Sequence, residues 1–185
     1  VDELVALYAE ADLTGRVTGA APRSRVRAEN LPHAATAVLL RDAAGRVYAH
    51  RRTPTKDVFP DCYDVWAGGV VLAGEDPTTA AGRELAEELG VRDCPIRALF
   101  RLWYADAHTN YLAYAFVADY DPRRCGPVVH QPEEVADGWW MEWDELVRRS
   151  TDPDWPMVPD GRALVRYLLL EPNLAGTGRS GPDGG

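Results

Sequence analysis

The stretch that most constrains this chain runs from Gly69 to Val91, GVVLAGEDPTTAAGRELAEELGV. An acid, Glu75, follows a glycine turn, and a short helix crowded with carboxylates comes next. Asp76 is a good N-cap, and Pro77 suits the first helical position, where a missing N–H costs nothing. Gly90 supplies a left-handed stop, so a helix of about three turns is expected from Pro77 to Leu89. Ala81, Leu85 and Leu89 recur every fourth residue and form its buried stripe. Glu84, Glu87 and Glu88, at i, i+3 and i+4, share a second face.

Like charges at this spacing cost a few tenths of a kcal/mol per pair, so stability alone disfavours the cluster. The ordinary alternative is a solvated acidic face, with Arg83 bonding Glu87 one turn on. The chemical alternative is a hard divalent cation: Mg²⁺ or Mn²⁺ takes oxygen ligands, usually together with substrate phosphates.

The stretch resembles the Nudix box, G-x5-E-x7-R-E-U-x-E-E-x-G-U with U aliphatic. Gly69, Glu75, Arg83, Glu84, Leu85, Glu87, Glu88, Gly90 and Val91 match it, and no position departs. The resemblance implies an α/β fold, the Nudix-type α/β/α sandwich around a mixed β-sheet. It also implies a hydrolase dependent on Mg²⁺ or Mn²⁺ that cleaves a diphosphate linkage in a small organic or nucleoside diphosphate derivative. Glu87 and Glu88 are the implied metal ligands, assisted by Glu84 and the carbonyl of Gly69. Arg83 is expected to orient these carboxylates with Glu75 as its partner, and either Glu84 or the loop acid Glu134 to act as general base.

The chain has 185 residues and a net charge of −9. Its length suits a single domain over 1–170 with enough interior for a core, and the Gly- and Pro-rich 171–185 reads as a disordered tail. The acidity excludes a nucleic-acid surface held by phosphate contacts, since no long basic run offsets it. A small anionic partner remains compatible, provided that a metal and local cations neutralise it; a homodimer is left open. Cys62, Cys94 and Cys125 are odd in number and scattered, so no disulfide framework or zinc site is expected, and a reducing cytoplasm fits best. No apolar run reaches membrane-spanning length, and residues 1–15 lack the pattern of a secretory signal.

Residues 3–18 could line a helix through Leu4, Leu7, Tyr8 and Ala11, but the Gly15 and Gly19 punctuation favours strands. A charged connector spans Pro22 to Pro32. Strands are expected at Thr36–Leu40 and Val47–Arg51, joined by a loop at Asp42–Gly45, and at Arg97–Tyr104 and Asn110–Val117 around a turn holding His108. Gly138–Trp143 reads as a strand whose tryptophans pack. Asp144 and Asp160 are expected to cap two late helices.

Arg51, Arg52 and Lys56 form a cationic cluster just before the box. Alone they read as solubilising charge; beside the box they become a diphosphate clamp. The segment RRTPTKDVFPD is similar to that in isopentenyl-diphosphate isomerases, where matching cations bind a diphosphate. The isomerase chemistry is not matched. Ala67 stands in place of the catalytic cysteine, Gly69 and Val26 in place of metal-binding histidines (His33 matches a third), and Thr109 and Tyr111 near the expected glutamates. A non-catalytic binding module is the remaining alternative, and an intact set of box carboxylates speaks against it.

Overall fold

The computed structural model describes residues 2–171. The expected tail lies outside them except for Glu171. A first hairpin, β1 (Leu4–Tyr8) and β2 (Val17–Pro22), pairs antiparallel, in line with the strand reading of this segment. The connector that follows is not all loop: Arg23–Ala28 form a short helix, α1, which buries only Val26. One buried valine among three arginines leaves no periodicity to read.

Strand β3 (His33–Asp42) is the axis of the sheet. It lies parallel to β8 (Asn110–Tyr120) over ten consecutive positions, His33↔Tyr111 to Asp42↔Tyr120, and antiparallel to β1, β4 (Val47–Arg52) and β6 (Trp66–Ala67). β4 continues to β5 (Tyr63–Asp64) and β9 (Val135–Met141), while β7 (Ile96–Ala105) flanks β8. The nine strands make one mixed sheet. Tight turns set the hairpins: Asp42 accepts from the N–H groups of Ala44 and Arg46, and Asp106 from those of His108 and Thr109.

The central strands are buried on both faces, so they carry near-continuous apolar runs instead of strict alternation. In β3 and β8 the even positions Val38, Leu40, Leu112 and Phe116 meet Ala81, Leu85 and Leu89 of α2 (Pro77–Leu89). The odd positions Leu39, Ala113 and Ala115 meet Leu146 of α4 (Trp143–Thr151) and Leu164, Val165 and Leu168 of α5 (Pro159–Leu170). Helices thus cover both faces of the sheet.

Three sequence expectations need correction. Asp144 and Asp160 are not caps; they sit inside the first turns of α4 and α5, whose cap positions are Glu142 and Val158 without side-chain bonds. There the acids still favour the positive helix end. Cys94 and Cys125, expected to be unpaired, form a disulfide with Cα atoms 5.2 Å apart, brought together by the short helix α3 (Pro122–Cys125). Cys62 is the free thiol. Trp139 and Trp140 pack at the sheet's edge against Tyr63 and Tyr48, as expected. No helix among the described residues is long and apolar enough to cross a membrane.

Candidate active site

Helix α2 forms as its sequence dictates. The Asp76 carboxylate accepts from the N–H groups of Thr78 (2.8 Å) and Thr79 (3.4 Å), Pro77 opens the helix, and Gly90 closes it at φ 70°. Burial of Ala81, Leu85 and Leu89 fixes the rotation of the helix and turns Glu84 and Glu88 toward the Gly68–Gly69 backbone. Glu88 Oε2 accepts from the Gly68 N–H at 3.1 Å. A Cβ on residue 69 would fall 2.6 Å from the Glu84 carboxyl carbon, so only glycine admits that carboxylate beside the backbone. The Gly69 carbonyl accepts from the Thr36 N–H at 2.8 Å and from the Thr36 hydroxyl at 3.4 Å, which hold it in place.

Arg83 is the hub of the box. Its Nε and Nη2 form a fork on Glu75, each at 2.9 Å, and Nη2 also reaches the Val70 carbonyl at 3.1 Å. Nη1 bonds Glu84 at 2.6 Å and touches Glu87 at 3.5 Å. The Arg83 guanidinium holds the Glu75 carboxyl below its usual range. Glu84 and Glu88 go the other way. Burial raises both, with the like charge of Glu84 adding to the shift that pushes Glu88 up to about 8. Glu87 is half-exposed. Two half-buried carboxylates, with one guanidinium shared among Glu75, Glu84 and Glu87 and none on Glu88, fit a divalent cation in both chemistry and sign. Among the described residues no three His, Cys, Asp or Glu side chains are grouped to hold a metal as they lie. A third ligand would have to be brought to Glu84 and Glu88 by side-chain movement.

The cleft beside the box has a volume of about 600 Å³. Of the predicted cations only Arg52 lines it; its guanidinium bonds the Val58 and Phe59 carbonyls. Arg51, next in the strand and facing away, is paired with Asp61. Lys56 is paired with Glu134, so the expected clamp residue and the expected loop base meet each other. Glu134 is held near the box because the Gln131 N–H bonds the Glu88 carbonyl at 3.0 Å.

Several cleft residues are missed by sequence reasoning: Arg23 and Arg27 from α1, His50, Asp64 and Asp160; His33, which also lines the cleft, entered only as the match to an isomerase histidine. The basic run RSRVR was the available signal for the first two. The others are ordinary strand and helix-end residues whose meeting depends on tertiary structure.

The chain matches the NUDIX domain family over residues 31–165. It is 45% identical over 174 residues to the uncharacterized Nudix hydrolase orf19 of Rhodococcus erythropolis, covering 89% of this chain and 90% of that protein. It is 41% identical over 182 residues to the uncharacterized Nudix hydrolase SCO1686 of Streptomyces coelicolor, covering 98% and 93%. The crystal structure of DR0079 from Deinococcus radiodurans is similar at a TM-score of 0.72 and 25% identity, covering 89% of this chain and 98% of that one. A MutT Nudix hydrolase structure from Burkholderia pseudomallei shares the fold at a TM-score of 0.59 and 20% identity, covering 73% and 96%.

Proposed function

Since this chain belongs to the NUDIX family and is a Nudix hydrolase, we propose that it cleaves a diphosphate linkage in a small organic or nucleoside diphosphate derivative, with Mg²⁺ or Mn²⁺. The observation that carries this reading is the pair of half-buried carboxylates Glu84 and Glu88, which share one arginine with the rest of the box, at the glycine bend beside a cleft lined by cations.

Glu84, Glu87, Glu88 and the Gly69 carbonyl would hold the metal. When bound, it screens phosphate charge and lowers the pKa of water. The chain's own residues do the rest. Arg83, anchored on Glu75, sets the direction of the Glu84 carboxylate. Arg52 would meet phosphoryl oxygens in the cleft, joined by Arg23 and Arg27 if these leave Glu3 and Asp57. Arg51 and Lys56 would join the clamp only by leaving Asp61 and Glu134. Hydrolysis requires a water proton to be accepted as one P–O bond forms and the other breaks. We assign that role to Glu84 or Glu134, and Glu134 could take it only by leaving Lys56.

Phosphate release from a panel of nucleoside diphosphate derivatives and isoprenoid diphosphates, with and without Mg²⁺, tests the reading. Glu88→Gln should lower metal-dependent turnover by at least about a hundredfold while the circular dichroism spectrum and melting stay close to wild type. The Gln side chain keeps the volume and relieves repulsion, so loss of activity together with unfolding would make Glu88 structural.

A further inference from the structure

The box accounts for the phosphate end of the cleft. Elsewhere in the same cleft, the first turn of α5 meets β5. Asp64 Oδ1 accepts from the N–H groups of Val65 (2.7 Å) and Trp66 (3.2 Å), and Asp160 Oδ2 accepts from the Tyr111 hydroxyl at 2.9 Å. Gly161 lets the Asp64 carboxylate rest on α5, since a Cβ there would sit 2.5 Å from Asp64 Oδ1. Asp64 Oδ2 and Asp160 Oδ1 have no hydrogen-bond partner among the described residues, and neither acid is in an ion pair.

A second, independent feature points into the same place. His50 is the cross-strand partner of Asp64 in β4 and β5, it lines the cleft, and it is only 4% exposed. Its Nδ1 is buried without a hydrogen-bond partner, a state that costs roughly 1–3 kcal/mol unless something satisfies it. Burial holds His50 neutral, down to about 3, so its ring does not neutralise the acids. Burial and then the charge of Asp160 push Asp64 up to about 8, which marks the same shortage of positive charge. Arg23, Arg27 and Arg52 also line the cleft, but Arg23 and Arg27 are paired with Glu3 and Asp57, and Arg52 bonds backbone carbonyls, so none of them is paired with Asp64 or Asp160.

We infer that His50, Asp64, Asp160 and Tyr111 form the subsite for the non-phosphate part of the substrate, and that this part carries a protonated amine or an amidinium. This deepens the diphosphate-hydrolase reading and rests on it for the placing of the phosphates. Such a group brings charge of the right sign and two or three N–H donors. The unengaged oxygens of Asp64 and Asp160 and the ring of His50 supply matching acceptors. A neutral alkyl or prenyl group would leave all of them unpaired, and rejection on that ground is strong.

The test compares aminopropyl diphosphate with butyl diphosphate, in which a methyl replaces the ammonium at nearly equal size. Both are followed by phosphate release and by calorimetry on the full chain. Wild type should favour the amine by at least about tenfold in kcat/KM, and Asp160→Asn should narrow that preference to within about threefold. Asp64→Asn is the second variant, should the first fail to fold by circular dichroism. Equal treatment of the two compounds by wild type would overturn the subsite and leave the hydrolase reading standing. Selective binding of the amine without turnover would uphold the subsite and sink the hydrolase reading. A preference that persists undiminished in a folded Asn variant would remove these acids from the assignment.

Discussion

Asp64 shows how the pH behaviour of this protein resides in single side chains. Its carboxyl goes from an ordinary 3.8 in the unfolded chain to about 8 in the fold, through burial first and then Asp160. The native state therefore binds more protons than the unfolded chain across that window. The stability linked to this group is complete below the unfolded value and is lost as pH rises through the folded one. Glu88 acts in the same direction, and His50, lowered to about 3, in the opposite one, but His50 has no further effect above about pH 6.5. Between about pH 6.5 and 8 the carboxyls alone set the slope, and stability should fall. Urea unfolding at both ends of that window should show the fall in wild type and a smaller one in Asp64→Asn. An equal fall in both chains would mean that Asp64 is ionised in the native state throughout. Glu88 was legible in the sequence because the box spacing is local. Asp64 and Asp160 were not, since they stand far apart in the chain and no local pattern joins them.

Helix α2 and the bend before it show how one element divides structural from chemical work. The helix was legible throughout, with its cap, proline, stripe and terminal glycine confirmed, because each is a short-range signal. The roles of the two glycines before it appear only in the fold. A methyl on Gly68 would come within 2.7 Å of the Thr36 carbonyl carbon, closer still to its oxygen, and backbone inside a central strand cannot yield. A methyl on Gly69 would instead meet the end of the Glu84 side chain, which can swing away. Gly68→Ala should therefore cost about 2 kcal/mol or more in urea unfolding. Gly69→Ala should unfold near the wild-type midpoint yet lose about tenfold or more in metal-dependent kcat, because the carboxylate is displaced. Equal stability losses would show that the two positions are not divided in this way. Helix α1 marks the limit of such local reading: six residues with one buried side chain carry no usable period, and tertiary contact alone makes them a helix.

Across the whole molecule, the disulfide is the feature for which the sequence offered least. Three scattered cysteines suggested no pairing, yet the end of the box helix and the segment after β8 converge on one another. Around the bond, the Arg92 N–H bonds the Cys125 carbonyl at 3.0 Å, and the Val129 and Gln131 N–H groups bond the Leu89 and Glu88 carbonyls at 2.8 and 3.0 Å. The bridge thus pins the segment that leads to Glu134 against the C-terminal turn of α2. It closes a loop across a sequence separation of 31, which in the chain-entropy account is worth about 3–4 kcal/mol. For a chain of this size that corresponds to roughly 6–15 °C in Tm. Oxidised protein should melt higher than protein held in a phosphine reductant by about that amount, and Cys125→Ser should melt like the reduced chain in both conditions. Thiol counting under denaturing conditions should find one free thiol, that of Cys62, in the oxidised protein. Three free thiols after oxidation, or a melting point indifferent to reductant, would show that Cys94 and Cys125 pack side by side without a bond. The hydrogen bonds to the Leu89 and Glu88 carbonyls would then be what holds the Glu134 segment in place.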